Sequence, residues 1–144
     1  MPMDYAALAR RGQALARSLM QDTCLVERKV VDANGDPVRV MDPVTLGLTD
    51  QWEVVIPASR ARFRRPSSTS DHATEAGEYQ FGLESVAVWL PLDAPPPRRG
   101  DRVTVSAISG GTDPALLGLR LTVRAILTES HPTKRVVICE EVAS

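Results

Sequence analysis

The sequence predicts a mainly β protein, a small β-barrel of about six strands with an N-terminal α-helix and long loops. Only Asp4 to Met20 has helical periodicity, while from Thr23 onward short runs rich in Val, Leu, Ile and Thr alternate with clusters of Gly, Pro, Asn and Asp. The chain has 144 residues, 43% hydrophobic and 24% charged, the size and composition of one globular domain with one core. A single domain over 1–144 is expected, with the helix at 4–20 and the barrel at 23–142.

In the helix, Tyr5, Leu8, Gly12, Leu15 and Leu19 recur at spacings of three and four and form one narrow apolar stripe. Pro2 and Asp4 suit its N-terminus, and Arg17 suits the negative end of its dipole. A stripe this narrow, with Gly12 at its centre, is expected to dock closely, either on the protein's own sheet or on a neighbouring subunit. Thr23 to Val31 reads as a strand, Asn34-Gly35-Asp36-Pro37 as a turn, Val38 to Met41 as the return strand and Asp42 to Asp50 as a loop. Gln51 to Ile56 and Ser59 to Phe63 form a second strand region interrupted at Pro57, which lacks an amide hydrogen and so belongs at an edge or a bulge.

Arg64 to Glu78 holds Pro, Ser, Thr, Asp, His, Glu and Gly with almost nothing to bury, and is expected to be a long mobile loop. Folded out and back, it reaches at most about 25 Å. Tyr79 to Leu90 resumes β character, with Val86, Val88 and Leu90 on one face and Ala87 and Trp89 on the other. Pro91 ends it, and Pro95-Pro96-Pro97 leads through Arg99-Gly100-Asp101 into a strand over Arg102 to Ile108. After a turn at Gly110 to Pro114, Leu119 to Leu127 and Lys134 to Val142 are the last strands, joined across Ser130-His131-Pro132.

Seventeen basic against eighteen acidic residues give a net charge of −1, which excludes a protein drawn to nucleic acid by its total field but leaves room for local patches. No apolar run approaches the roughly 20 residues of a membrane-spanning helix. Arg10, Arg11 and Arg17 break up the first twenty residues, so a secretory signal is not expected and the chain is placed in the cytoplasm. Cys24 and Cys139 have neither metal-ligand nor disulfide-framework spacing and are expected to be buried thiols.

The residues offer little for catalysis. His72 lies in the polar loop and His131 precedes a proline in a turn, neither beside a Cys or Ser in a recognisable nucleophile motif, and Asp71, His72, Glu75 and Glu78 match no metal template. Glu140 and Glu141 are neighbours on a strand, so they face opposite ways and form no carboxylate dyad. Arg99-Gly100-Asp101 matches an integrin-type tripeptide but reads as a turn, and Gly110-Gly111 lacks the Lys and helix start of a phosphate loop. A non-enzymatic protein without cofactor or metal is expected.

One basic cluster stands out. Arg60, Arg62 and Arg64 share a strand face by their period-two spacing, Ala61 and Phe63 point to the other, and Arg65 follows at the loop edge. Such a ribbon either faces solvent on an edge strand or meets phosphates regardless of sequence. Arg98, Arg99 and Arg102 form a weaker second patch. Phe63, Tyr79, Phe81, Trp52 and Trp89 are too scattered to read as a single-strand stacking platform.

The order of short motifs along the chain is informative. Ala9-Arg10-Arg11-Gly12, Leu19-Met20-Gln21-Asp22-Thr23-Cys24, Ala61-Arg62-Phe63 and Trp89-Leu90-Pro91 are followed by Arg99-Gly100-Asp101-Arg102-Val103-Thr104-Val105. Asp113-Pro114-Ala115-Leu116-Leu117-Gly118-Leu119-Arg120 and Ser130-His131-Pro132-Thr133-Lys134-Arg135 come last. Over nearly its whole length the chain thus resembles the small head-to-tail stopper, or head-completion, proteins of long-tailed actinobacterial phages.

That resemblance implies a β-barrel that forms a homo-oligomeric ring in the virion neck, assembled in the host cytoplasm. Portal and adaptor proteins would lie above it and tail proteins below, with packaged double-stranded DNA in the lumen and no membrane. On this reading Arg60, Arg62, Arg64 and Arg65 are DNA-channel candidates. Ser67, Ser68, Thr69, Asp71 and His72 belong to a loop pointing at the axis, and Tyr5, Leu8, Leu15 and Leu19 are helix docking or interface candidates. Val30 to Asp50 is longer and more acidic than a plain hairpin, so either it or Arg64 to Glu78 is the loop that enters the channel. The alternatives are a tail-completion or other head-tail joining protein, and a small β-barrel nucleic-acid-binding module.

Overall fold

The computed structural model describes residues 4–65, 85–127 and 133–141. Among them are one α-helix, α1 (Tyr5–Ser18), and eight strands: β1 (Asp22–Lys29), β2 (Arg39–Met41), β3 (Leu48–Asp50), β4 (Trp52–Arg64), β5 (Ser85–Leu90), β6 (Arg102–Ala107), β7 (Arg120–Leu127) and β8 (Arg135–Glu141). Six strands close on themselves as a barrel in the order β1-β4-β5-β8-β7-β6, every neighbouring pair antiparallel. Closure leaves no free edge along the ring, which removes the template for unwanted strand pairing. The expected small barrel with an N-terminal helix is the architecture observed.

Alternation of side chains fills the barrel. Val86, Val88 and Leu90 point inward with Cys24, Val26, Phe63, Val103, Val105, Leu121, Val123, Val137 and Cys139, and Leu116, from a short 3-10 turn at Pro114–Leu116, packs with them. Ala87 and Trp89 point outward and join Ala16, Met20, Val136 and Ile138 in a second cluster beneath the helix. All of β5 is therefore buried, inside by the core and outside by α1. The interior is packed with side chains, so the barrel itself holds no channel.

The helix starts where its residues dictate: the Asp4 carboxylate accepts a hydrogen bond from the Ala7 amide at 3.1 Å, the work of an N-cap. Of the two partners expected for the apolar stripe, the protein's own sheet and a neighbouring subunit, the structure excludes the own sheet for all but Gly12. The helix meets its own barrel through Gly12, Ala16 and Met20, and Tyr5, Leu8, Leu15 and Leu19 are exposed, Tyr5 by 76% and Leu15 by 65%. The reason is space. A Cβ on Gly12 would sit 2.7 Å from the Thr133 methyl, so the barrel accepts only the small-residue side of α1.

The segment between β1 and β4 also differs from expectation. Val38 to Met41 does not simply run back along the first strand: after one bridge between Val31 and Pro37, residues 39–41 pair with 48–50. The stretch read as a loop thus holds β3, and 30–51 is a double-turned excursion outside the barrel. The first turn forms on Asp32, whose carboxylate accepts from the amides of Asn34 and Asp36, with Gly35 at φ +84°. Pro57 does lie at a bulge, since Cys24 pairs with Ser59 and Val26 with Ile56, leaving an extra residue in β4. The strand continues through Arg64, so this residue belongs to β4 and not to the loop. Ser67, Ser68, Thr69, Asp71, His72 and His131 lie outside the described residues.

Candidate nucleic-acid interface

β4 delivers the basic residues to the outside of the barrel because its alternate positions, Ala61 and Phe63, are buried inside it. Arg60 is exposed, and Arg62 and Arg64 are half-buried. Register explains the difference: Arg62 pairs directly with Trp89 of β5, and Arg64 with Ala87. The guanidinium carbons of Arg62 and Arg64 lie 4.7 and 5.8 Å from the Trp89 ring centroid. The Lys134 ammonium lies 4.3 Å from the same centroid. Three cations on one indole form a compact positive cluster held by its electron-rich face.

A guanidinium that stacks its flat face on a ring keeps its N–H edge for hydrogen bonds, and the ring supplies no countercharge. The arrangement therefore orients Arg62 and Arg64 on the indole. Trp89 also belongs to the outer cluster with Ala16 and Met20, so the same side chain links the helix to Arg62 and Arg64.

Arg65 departs from this group. It forms ion pairs with Asp113, at 3.6 Å, and with Glu141, which tie the end of β4 to the 3-10 turn and to β8. The second patch divides similarly: Arg102 pairs with Glu27 at 3.1 Å and stacks 4.0 Å from the Trp52 centroid, where Lys29 approaches from 5.6 Å. Arg98 and Arg99 are exposed.

Asp101 of the Arg-Gly-Asp tripeptide is 2% exposed and chelated by Arg28, with both nitrogen-to-oxygen distances at 3.0 Å, while the Arg98 amide donates to it at 2.8 Å. The hydrogen bond to Asp101 holds the Arg28 guanidinium pKa above its ordinary value. This carboxylate serves the fold and is closed to an external receptor.

A cleft of about 440 Å³ lies beside the arginine row, lined by Arg62, Arg64, Arg65, Thr112 and Asp113 with Asp22 at its base. Asp22 is buried and fully engaged. It accepts from the amides of Phe63 and Ser109 at 3.1 and 2.7 Å and from the Thr112 hydroxyl at 2.8 Å, so it fastens β1, β4 and the turn after β6. Cys24 and Cys139 are free thiols inside the barrel, and burial pushes Cys24 up to about 12 and Cys139 higher still. Among the described residues no cluster of His, Cys, Asp and Glu is placed to hold a metal ion, and no helix is long and apolar enough to cross a membrane.

Sequence reasoning placed Arg60, Arg62 and Arg64 on one face and named Trp89 only among scattered aromatic residues, without joining it to the row, and it missed Lys134. Lys134 stands seventy residues from Arg64, and only the β4-β5-β8 order brings the two together. Of the other aromatic residues, Phe63 is in the core and Trp52 lies under Arg102, while Tyr79 and Phe81 fall outside the described residues.

Among solved structures, the solution structure of protein SF1141 from Shigella flexneri 2a is similar in fold, with a TM-score of 0.53 and 20% identity over 86% of this chain and 94% of that one. No curated protein matches the sequence. A family match covers residues 12–140, the second half of the helix and nearly all of the barrel, and on that match the chain belongs to DUF6093, a family of unknown function.

Proposed function

We propose that this chain is a structural, non-enzymatic protein of a phage virion neck, a head-to-tail stopper that assembles as a ring, retains packaged DNA and offers a surface to the tail. The observation that carries the reading is the row Arg60, Arg62 and Arg64, with Arg62 and Arg64 set on Trp89, outside a barrel whose interior is packed. Contact with DNA then has to come from the outer wall, and a ring of barrels presents that wall to a shared lumen. Symmetry repeats the three arginines around the axis while each subunit keeps its net charge of −1. Contacts to phosphate through arginine carry no base information, which suits a protein that holds any packaged sequence.

The order of motifs along the chain, which resembles that of head-completion proteins, supports the same reading. The test is deletion of the gene from the phage that encodes it. Electron microscopy of the lysate is expected to show complete tails beside heads that have lost their DNA. Normal virions would reject a neck role and favour the free-standing nucleic-acid module, for which the arginine and tryptophan cluster also argues.

A further inference from the structure

The barrel leaves two apolar surfaces uncovered on different elements. The first is the stripe of α1, where Tyr5, Leu8, Leu15 and Leu19 all face solvent. The second is the tip of the β2–β3 hairpin, where Val44 is 88% and Leu46 71% exposed, with Met41 and Leu48 paired across the ladder behind them. Neither surface covers the other. Their charges are opposite: α1 carries Arg10 and Arg11, with Arg17 paired to Asp93, whereas residues 30–51 carry Asp32, Asp36 and Asp42, with Asp50 paired to Lys29 and Arg39.

The hairpin tip is also prearranged. The Asp42 carboxylate accepts from the amides of Val44 and Thr45, and its backbone bonds to Leu46 and Gly47. This leaves Leu46 at φ +61°, a left-handed conformation that glycine or asparagine adopts far more readily. A leucine held there, in solvent, indicates that its side chain is needed for contact.

From these features we propose that the occupant of the helix stripe is a second copy of this chain. The acidic, apolar-tipped hairpin of one subunit seats on the basic, apolar helix of the next. Because the two surfaces differ, the contact is head-to-tail, the kind that closes into a ring when the rotation allows. The proposal rests on the ring reading and names the surfaces that would build the ring.

The test uses the full-length protein with one surface broken at a time. In the helix variant Leu8→Asp and Leu15→Asp are combined, and in the hairpin variant Val44→Asp and Leu46→Asn. All four positions are exposed, and Asn suits the left-handed backbone at 46, so folding is preserved. In sedimentation velocity the wild type is expected to associate as concentration rises. Each variant alone is expected to lose about thirtyfold or more in association constant, the size of a hot-spot loss. Mixed in equal amounts, the variants should form a one-to-one dimer and nothing larger, since one intact hairpin meets one intact helix.

Cross-linking gives a second readout. Leu15→Cys in one preparation and Val44→Cys in another should join through a bismaleimide only when mixed, because the native thiols are sealed in the core. A wild type that stays monomeric at every concentration, variants that associate undiminished, or a mixture without dimer would each overturn the proposal. None of these bears on the neck reading, which the virions of the deletion strain decide.

Discussion

At the scale of single residues, Arg28 and Asp101 are the most consequential pair. Asp101 is buried, and without its guanidinium partner it would keep a charge with no solvent to stabilise it. Arg28→Ala is expected to destabilise the fold by about 3 kcal/mol, the lower end for breaking a buried pair because the arginine side is partly exposed. Urea denaturation measures it. The two thiols make a second case. Both are neutral and dry in the folded barrel and react only through the thiolate, so they should resist a thiol reagent until the protein unfolds. An unfolded cysteine ionises near pH 8.5, while the folded Cys24 holds its proton to about 12. Stability is therefore full below pH 8.5 and declines as pH rises from there towards 12, which thermal melts across alkaline buffers will follow. At Leu46 the backbone itself is strained, and Leu46→Asn should raise stability by about 1 kcal/mol while removing a contact side chain.

At the scale of elements, α1 is where sequence pattern and structure part most clearly. Periodicity identified the helix and its cap at Asp4, because both depend on neighbours three and four residues apart. It did not identify the docking face. A hydrophobic stripe reports what leaves water but not which surface receives it, and the small side of the helix, Gly12 and Ala16, is the one that clears Thr133. Gly12→Leu is expected to lift α1 from the barrel and cost about 1 to 3 kcal/mol, the usual penalty for overfilling a close contact, read by denaturation together with increased Trp89 exposure in fluorescence quenching. The β4 face was legible for the same reason that the docking face was not: period-two alternation is local, and Ala61 and Phe63 must go inside if Arg62 and Arg64 go outside. Lys134 and the β2–β3 pairing depend on contacts distant in sequence or on an excursion with no core to pattern it, and neither left a periodic signal.

For the whole molecule, closure is the organising fact. A sealed and filled barrel can only work through its outer wall and its excursions, and those carry the arginine row, the exposed helix stripe and the hairpin. In a phage complemented with Arg60→Glu, Arg62→Glu and Arg64→Glu together, heads should form but leak DNA, while Arg60→Gln, Arg62→Gln and Arg64→Gln together and a thermal melt of each variant separate lost charge from the lost stacking of Arg62 and Arg64 on Trp89. Retention at the wild-type level would remove these residues from the lumen. The most direct measurement is a cryo-electron microscopy reconstruction of the virion neck. The expected result is a ring of this barrel between head and tail, with the β4 arginines facing the DNA. A neck without this chain, or a ring with that row turned to the outside, would contradict the proposed function.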